Sequence, residues 1–241
     1  MRRLARILGT VLIVGGALTL AWAVVVWRWQ DPFTALYTHF QQIKLAHRYE
    51  RKVAEFHAPV VAHASLAAEE QAVASVARAY RRSLHEGDPV GRLRIGRIGL
   101  NMVVVQGTED STLEKGPGHY TRSWLPGQGH LIYIAGHRTT FLAPFAYINN
   151  IRVGDYVTFS VPYGTFTYRV TRHYIVPSNA LSVLRDHGHE VLRLQACHPR
   201  FFATHRYIVD ATLVSVAPRG GHPYTPSAAS HLAAPARAAT S

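Results

Sequence analysis

Short apolar runs separated by turn-forming residues fill the chain from Gly91 onward and constrain its fold more than any other feature. Residues 156–161 alternate apolar and polar side chains with the period of a strand, and Pro162-Tyr163-Gly164 then supplies a turn. Seven or so strands over roughly 125 residues predict a mainly β domain, a closed or nearly closed barrel with only brief helices near 109–113, 141–148 and 179–185. The predicted strands cover residues 93–95, 102–105, 131–135, 156–161, 166–176, 191–196 and 206–216.

An uncharged segment of 21 residues, 7–27, precedes this domain. As a helix it would span roughly 31 Å, about the thickness of a bilayer's hydrocarbon core. Arg2, Arg3 and Arg6 precede it, so the positive-inside rule predicts a cytoplasmic N-terminus and an extracellular remainder, with Trp27 and Trp29 in the interfacial belt. The alternative is a signal peptide cleaved at the A-x-A-like residues 21–23. We favour a single-pass anchor that binds the lipid bilayer through residues 7–27, because the apolar run continues past that site.

Two helical patterns connect the anchor to the β domain. Asp31-Pro32 is a start signal, and apolar residues then recur at helical spacing over 31–57. Residues 60–85 are Ala-rich, with acidic residues early and basic residues late, as the helix dipole favours. We interpret these two helices as a stalk. The alternative is that the two helices pack on the β domain or self-associate. The predicted domains are 1–29 (cytoplasmic N-terminus and anchor), 30–88 (stalk), 89–217 (β-barrel) and 218–241 (disordered tail).

The formal net charge is +12, spread along the chain rather than gathered in a block. Diffuse positive charge fits proximity to anionic lipid or cell-wall polymer. Specific nucleic-acid binding is not expected, because no Lys/Arg cluster interleaved with aromatic residues is present.

The chain has one cysteine, Cys197, which cannot form an internal disulfide. Free cysteines are often buried bystanders, but exported proteins more often use cysteines in pairs, so an unpaired thiol is also a candidate nucleophile. Cys197 and His137 each follow a predicted strand, and Arg206 opens another. A neighbouring imidazolium and guanidinium would favour the thiolate. His137 could then protonate a leaving amine, and Arg206 could hold a substrate carbonyl or an oxyanion.

Other histidines are interpreted as structural or surface residues, although His198 beside the thiol could support it. His187 and His189 lie in a turn-like stretch and lack a convincing ligand spacing. No metal and no cofactor is expected. The remaining histidines assigned a structural role are His119, His130, His173 and His205.

The segments Ala135-Gly136-His137-Arg138-Thr139-Thr140 and Leu194-Gln195-Ala196-Cys197-His198-Pro199, followed by Arg206, resemble a sortase. The resemblance covers about residues 90–216, and Gly-His-Arg-Thr-Thr followed by Ala143-Pro144-Phe145 is most similar to class E sortases of high-GC Gram-positive bacteria. It implies an eight-stranded sortase β-barrel. It also implies a cysteine transpeptidase with Cys197 as nucleophile, His137 as general acid and base, and Arg206 as substrate and oxyanion stabiliser.

The implied partners are surface proteins with C-terminal sorting signals (Leu-Ala-x-Thr-Gly or Leu-Pro-x-Thr-Gly) and an amine of a cell-wall precursor. One departure is Ala196, where sortases usually carry a Thr directly before the cysteine. The alternatives are a pilus-polymerising sortase, a catalytically weak sortase-fold binding module, and a structural cell-envelope protein with a bystander cysteine.

Overall fold

The structure, a computed structural model, describes residues 2–29, 32–57 and 65–227. The predicted N-cap Asp31, the interrupting Pro59 and residues 228–241 of the predicted tail (218–241) lie outside the described residues. So do the side chains of Trp27 and Trp29. The described part of that tail is ordered against the domain, because Tyr224 forms a β-bridge with Val216 and the Ser227 amide donates to Glu70 at 2.9 Å.

In the described part of the chain, three long helices precede the β domain: α1 (Arg2–Trp29), α2 (Pro32–Glu55) and α3 (Leu66–Ser83). Among the described residues, one helix is long and apolar enough to cross a membrane, over Arg2–Val25, and its hydropathic window is not buried by the rest of the protein. Ser65 caps α3, since its hydroxyl accepts a hydrogen bond from the amide of Ala68 at 3.4 Å. A short helix, α4 (Asp110–Leu113), follows within the β domain.

Eight strands form a closed barrel in the order β1-β2-β3-β4-β7-β8-β6-β5. Pairing is parallel between β2 and β3 and between β4 and β7, and antiparallel elsewhere, including the closing β5–β1 pair. The fold class predicted from the sequence is confirmed. The strands are β1 (Pro89–Ile95), β2 (Leu100–Gln106), β3 (Gly118–His119), β4 (Leu131–Ala135), β5 (Tyr156–Val161), β6 (Gly164–Pro177), β7 (Val191–His198) and β8 (His205–Pro218).

Side chains that alternate along the strands fill the barrel. On β7, Leu192, Leu194 and Ala196 point into the core, and on β8 Tyr207, Val209 and Ala211 do the same. The intervening residues therefore lie on the outer face, because successive side chains of a strand point to opposite faces.

Both helices of the predicted stalk lie against the barrel. On α2, the side chain of Gln42 forms two hydrogen bonds with the backbone of Val103. Gln42 Oε1 accepts from the Val103 amide at 2.8 Å, and Gln42 Nε2 donates to the Val103 carbonyl at 3.0 Å. The hydroxyl of Tyr49, also on α2, donates to the Ser160 carbonyl at 2.9 Å. On α3, Ala77 is buried within the main core cluster. These contacts favour the alternative in which the helical pair packs on the domain over a free-standing stalk, because both helices carry an inward face of polar donors and apolar side chains.

Two local predictions differ from the structure. The two-residue strand β3 was not predicted, because its pairing with β2 and β4 is long-range and its Gly-His sequence carries no strand signal. Over the predicted helix 141–148, residues 141–147 form turns and only Ile148 begins a 3-10 turn, Ile148–Asn150. The other two brief helices are present as α4 and a 3-10 turn at Leu181–Leu184.

Candidate active site

The register of three adjacent strands brings the three predicted site residues to one end of the sheet. Cys197 on β7 lies directly opposite Arg206 on β8. On the other side of β7, the parallel strand β4 pairs Ala135 with Gln195, and the amide of Gly136 donates to the Gln195 carbonyl at 3.0 Å. His137 lies two residues beyond Ala135, and Cys197 lies two residues beyond Gln195. The two site residues therefore follow the same paired position of β4 and β7.

The same three residues also share the outer face of the barrel. Cys197 lies one residue beyond the inward-pointing Ala196, and Arg206 one residue before the inward-pointing Tyr207. His137 is two residues after Ala135, which belongs to an outer apolar cluster with Tyr133. The sheet therefore gathers an imidazole, a thiol and a guanidinium that are separated by up to 69 positions in sequence.

His137 is half-buried, and its Nε2 is buried without a hydrogen-bond partner in the described part of the chain. Burial lowers the pKa of His137, and the carboxylates of Asp110 and Glu114 partly offset this by raising it. The neutral imidazole is thereby favoured. An unsatisfied buried nitrogen of this kind is what a catalytic hydrogen bond to a substrate would satisfy.

The loop after His137 is held in an unusual conformation. Phe141, Leu142 and Ala143 all have positive φ, at 53°, 58° and 37°, which is costly for residues with a Cβ. The Phe145 amide donates back to the His137 carbonyl at 3.0 Å, and the Phe141 ring centroid lies 5.1 Å from that of His137. Outside the loop, Thr34 on α2 accepts a hydrogen bond from the Phe141 amide at 3.2 Å.

Gly136 is required by the close packing under this loop. A Cβ at this position would lie 2.6 Å from the Phe145 ring and 3.1 Å from Pro144. The sequence-based expectation of a close backbone path at Gly136 agrees with this geometry.

Arg206 is half-buried and is tied to the turn between β7 and β8. Its Nη1 donates to the carbonyls of Ala203 (2.8 Å) and His205 (3.1 Å). Within residues 2–29, 32–57 and 65–227, its Nε and Nη2 make no hydrogen bond to protein. The anchored guanidinium can therefore offer these donors to another group.

Arg138 is a site residue that sequence reasoning missed. Its guanidinium, almost fully buried, donates from Nη1 to the Cys197 carbonyl (3.2 Å) and contacts His198 Nδ1 at 2.9 Å, while Nη2 donates to Asn149 at 2.6 Å. Burial lowers the pKa of Arg138, and a further decrease comes from Arg200. Its position directly after His137 in Gly-His-Arg was the one sequence feature that pointed to Arg138. Only the fold shows that Arg138 reaches the backbone of the cysteine.

A family model described as Sortase domain matches residues 93–214, slightly more than half of the 241 residues. The chain belongs to the sortase family. Sortase D of Bacillus subtilis (strain 168) is 34% identical over 127 residues, which are 51% of this chain and 63% of that relative. The match thus spans less than two thirds of the relative's length.

Solved sortase structures share the fold. The Sortase D5 transpeptidase of Clostridium perfringens superposes with a TM-score of 0.59 at 22% identity, covering 72% of this chain and 98% of that one. Sortase E from Streptomyces avermitilis superposes with a TM-score of 0.51 at 31% identity, covering 60% and 99%. The predicted family is confirmed. The similar proteins include sortases of class D as well as a sortase E, so membership of this chain in class E stays a prediction.

In this sortase, Ala196 is almost fully buried and belongs to the barrel core, opposite Tyr207 on β8. Its side chain therefore points to the face opposite that of Cys197. A Thr at this position would place its hydroxyl and methyl toward the barrel core, in the apolar cluster to which Ala196 and Tyr207 belong.

An apolar cluster lies on the outer face of the sortase barrel, where Ala135 and Ile208 both pair with Gln195, two residues before Cys197. Tyr133, Ala135, Ile208 and Val183 form its buried floor. The position of Val183, in the segment between β6 and β7, is fixed by Arg193, whose Nη1 donates to the Val183 carbonyl at 2.5 Å. The same floor is flanked by the partly buried Leu113, Tyr120, Tyr174, Val176 and Leu184.

The remaining histidines have other environments. His119 is fully buried, with its ring nitrogens 2.8 Å from Gln106 Oε1 and from the Trp124 carbonyl oxygen. His187 and His189 have ring centroids 6.3 Å apart. Over the described residues, no group of three or more His, Cys, Asp or Glu side chains could hold a metal ion.

Proposed function

We propose that this sortase is a membrane-anchored cysteine transpeptidase that exchanges the Thr–Gly bond of a C-terminal sorting signal for a bond to an amine. The observation that carries the proposal is the register and face shared by Cys197, Arg206 and the residues leading to His137. A thiol between an imidazole and a guanidinium is suited to acyl transfer.

The proposed reaction has two acyl transfers. The Cys197 thiolate attacks the Thr carbonyl carbon, and its C–S bond forms as the C–N bond to Gly breaks. His137, whose neutral imidazole burial favours, takes the proton of the Cys197 thiol as the thiolate forms, and the resulting imidazolium gives that proton to the departing Gly amine. An incoming amine then attacks the thioester and gives a proton to His137, while the Cys197 thiolate leaves. No oxidation occurs, and one amide bond replaces another.

Two arginines have separate proposed roles. Arg206 is anchored by backbone carbonyls through Nη1, which supports a role for its other N–H groups in binding the substrate carbonyl or the developing oxyanion. Arg138 is a positioning residue, since it holds the Cys197 carbonyl and His198 together.

The partly buried apolar side chains packed against the outer apolar cluster support binding of the apolar residue of the signal: Leu113, Tyr120, Tyr174, Val176 and Leu184. We propose Leu-Ala-x-Thr-Gly as the preferred signal over Leu-Pro-x-Thr-Gly, following the class E resemblance, and a cell-wall precursor amine as the acceptor. The anchor, α1, would cross the cell membrane once, with a cytoplasmic N-terminus and an extracellular catalytic domain. Arg2, Arg3 and Arg6 before the apolar segment support this orientation.

The test is a transpeptidation assay with both peptides and a primary amine, read by separation of products. We expect cleavage between Thr and Gly, amine-dependent ligated product, and loss of both in Cys197→Ala, His137→Ala and Arg206→Ala. Cleavage at another bond, or undiminished product in Cys197→Ala, would overturn the proposal.

Burial of Ala196 in the core, where sortases usually carry Thr, favours one second candidate, a sortase-fold binding module. A thiol-specific alkylating probe separates the two. The transpeptidase proposal expects selective labelling of Cys197 in the folded protein at neutral pH, and a binding module with an inert thiol expects none.

A further inference from the structure

One face of α2 carries large apolar side chains that the rest of the protein leaves in solvent. Leu36, Tyr37, Phe40 and Ile43 are 56%, 41%, 56% and 41% exposed. Their spacing of three to four residues forms a continuous stripe along one side of a helix. A contiguous apolar surface of this kind marks an interaction site.

This stripe is opposite the face that packs on the barrel. Thr38 and Gln42 bond to backbone groups of the β domain, and Leu45 and Tyr49 are buried in the cluster with Val103. At about 100° per residue, the series 38, 42, 45, 49 and the series 36, 37, 40, 43 lie on opposite sides of the helix axis. The barrel therefore cannot cover the stripe without α2 detaching from it.

The chain places this face next to the anchor. Only two residues separate the end of α1 at Trp29 from the start of α2 at Pro32, and so the Cα atoms of those helix ends lie within about 11 Å of each other. The Trp22 and Phe33 rings, with centroids 5.7 Å apart, bring the first turn of α2 alongside α1. With α1 crossing the bilayer as proposed, the first turns of α2 would lie at the depth of the lipid headgroups, because the interfacial layer beyond the hydrocarbon core is several Å thick.

The charges on α2 fit the same surface. Lys44 and Arg51 are exposed beyond the apolar stripe, toward the C-terminal half of the helix. Together with Arg48 and Lys52 they outnumber the two acidic residues of α2, Glu50 and Glu55. Apolar side chains on one face with basic residues beside them are typical of helices that lie in a membrane interface.

We propose that α2 is an interfacial helix whose Leu36-Tyr37-Phe40-Ile43 face binds the outer surface of the lipid bilayer. The inference rests on the proposed membrane anchor. Its consequence for the active site follows from the hydrogen bond between Thr34 and the Phe141 amide, since Phe141 lies in the loop that carries His137. A lipid-bound α2 therefore fixes the barrel with this loop close to the membrane, where a substrate that is itself held in lipid would present its signal.

Site-directed spin labelling of the full chain in vesicles of phosphatidylglycerol and phosphatidylethanolamine tests the contact. Single cysteines replace Leu36, Phe40 or Ile43 in a Cys197→Ser background, with Tyr156→Cys on β5 as the matched control, because Tyr156 is also an exposed aromatic residue. We expect nitroxides on α2 to be relaxed by oxygen and protected from a water-soluble nickel chelate, and the label at 156 to show the reverse.

Nickel accessibility at 36, 40 and 43 equal to that at 156 would overturn the proposal. So would dipolar broadening between labels at 40, which would assign the face to a second copy of the chain. A label at Ile13 in α1 reports the anchor separately, and its exposure to nickel would overturn the anchor and this inference together. None of these measurements requires turnover, and so a failure of the transpeptidase proposal would leave their outcome intact.

A functional comparison follows in the native-cysteine protein. Phe40→Ser with Ile43→Ser should keep the wild-type rate on a water-soluble signal peptide and lose about tenfold on the same peptide tethered to vesicle lipid, an order of magnitude that reflects lost positioning. Tyr156→Ser should change neither rate. Equal loss on both peptides would contradict the lipid-binding role, because it would mean that the face supports the fold itself.

Discussion

The buried guanidinium of Arg138 donates a hydrogen bond to the carbonyl oxygen of Cys197, across 59 positions of sequence. The same Nη1 contacts His198, and Nη2 holds Asn149 in the segment that follows the His137 loop. One side chain therefore connects the end of β7 with the segment after β4. The relative placement of the proposed nucleophile and the proposed acid depends on it.

Replacing Arg138 with Met should lower kcat by about 10²-fold with little change in KM, because the substrate still binds but the reacting groups lose their alignment. Arg138→Lys should recover only part of this loss, since an ammonium cannot donate to partners on several sides from one planar group. Steady-state kinetics on the signal peptide check both variants, with exposed Arg122→Met as the control. A change confined to KM would contradict a positioning role.

His137 should titrate below the ordinary histidine pKa of about 6.5, because burial disfavours its imidazolium. An NMR titration of the imidazole, assigned with His137→Gln, measures this directly. Asp110→Asn combined with Glu114→Gln should lower the pKa further, because both carboxylates raise it in the native protein. A midpoint above about 6.5, or an upward shift in the double variant, would contradict this electrostatic description.

His119 should make stability depend on pH. Burial lowers its pKa to about 4, while in the unfolded chain it titrates near 6.5. The unfolded state therefore binds the additional proton between these values, so stability is complete above about pH 6.5 and falls as the pH decreases toward 4. The loss from this residue is about 3 kcal/mol.

Chemical denaturation of wild type and His119→Gln at several pH values isolates this contribution. The difference in the free energy of unfolding between the two proteins should change by most of that amount between pH 7 and pH 4. A constant difference would show that His119 is not responsible. Glu190, whose pKa burial raises, is common to both proteins and cancels in the comparison.

Ala196→Thr should destabilise the protein by about 1–3 kcal/mol, because the barrel core around Ala196 must accept an extra methyl and hydroxyl. Ala196→Val separates the two effects, since it adds the bulk without the hydroxyl. In thermal denaturation, we expect the wild-type protein to unfold at a higher temperature than both variants. A Thr variant that is equally stable and faster in transpeptidation would mean that the site has lost a useful hydroxyl.

The barrel was predictable because its strands carry local signals: the alternation in residues 156–161 and the apolar runs before Gly136 and Cys197 all correspond to strands. The strand β3 was not predictable, because its two residues, Gly118 and His119, form a strand only by pairing with β2 and β4. The helix pattern before the barrel was clear in sequence, yet its packing was not, because Gln42 and Tyr49 find their partners over more than sixty residues.

The candidate active site, like the fold, was predictable from the sequence only in part. His137, Cys197 and Arg206 could be proposed from their positions at strand ends and from the sortase resemblance, and the observed register and facing of β4, β7 and β8 agree with that grouping. Arg138 could not be assigned a role, because a buried arginine beside a histidine has no sequence signature for the carbonyl it contacts. The left-handed backbone of Phe141, Leu142 and Ala143 was equally invisible, since none of these residues favours positive φ.

Intact-mass spectrometry of the protein incubated with Leu-Ala-x-Thr-Gly and Leu-Pro-x-Thr-Gly peptides, without an acceptor amine, tests the central claim most directly. We predict a mass increase equal to the peptide acyl group ending at Thr. Fragmentation should locate it on Cys197, hydroxylamine should remove it, and Cys197→Ala should lack it. Peptide cleavage by Cys197→Ala, or an acyl group on any other residue, would contradict Cys197 as the nucleophile of this sortase.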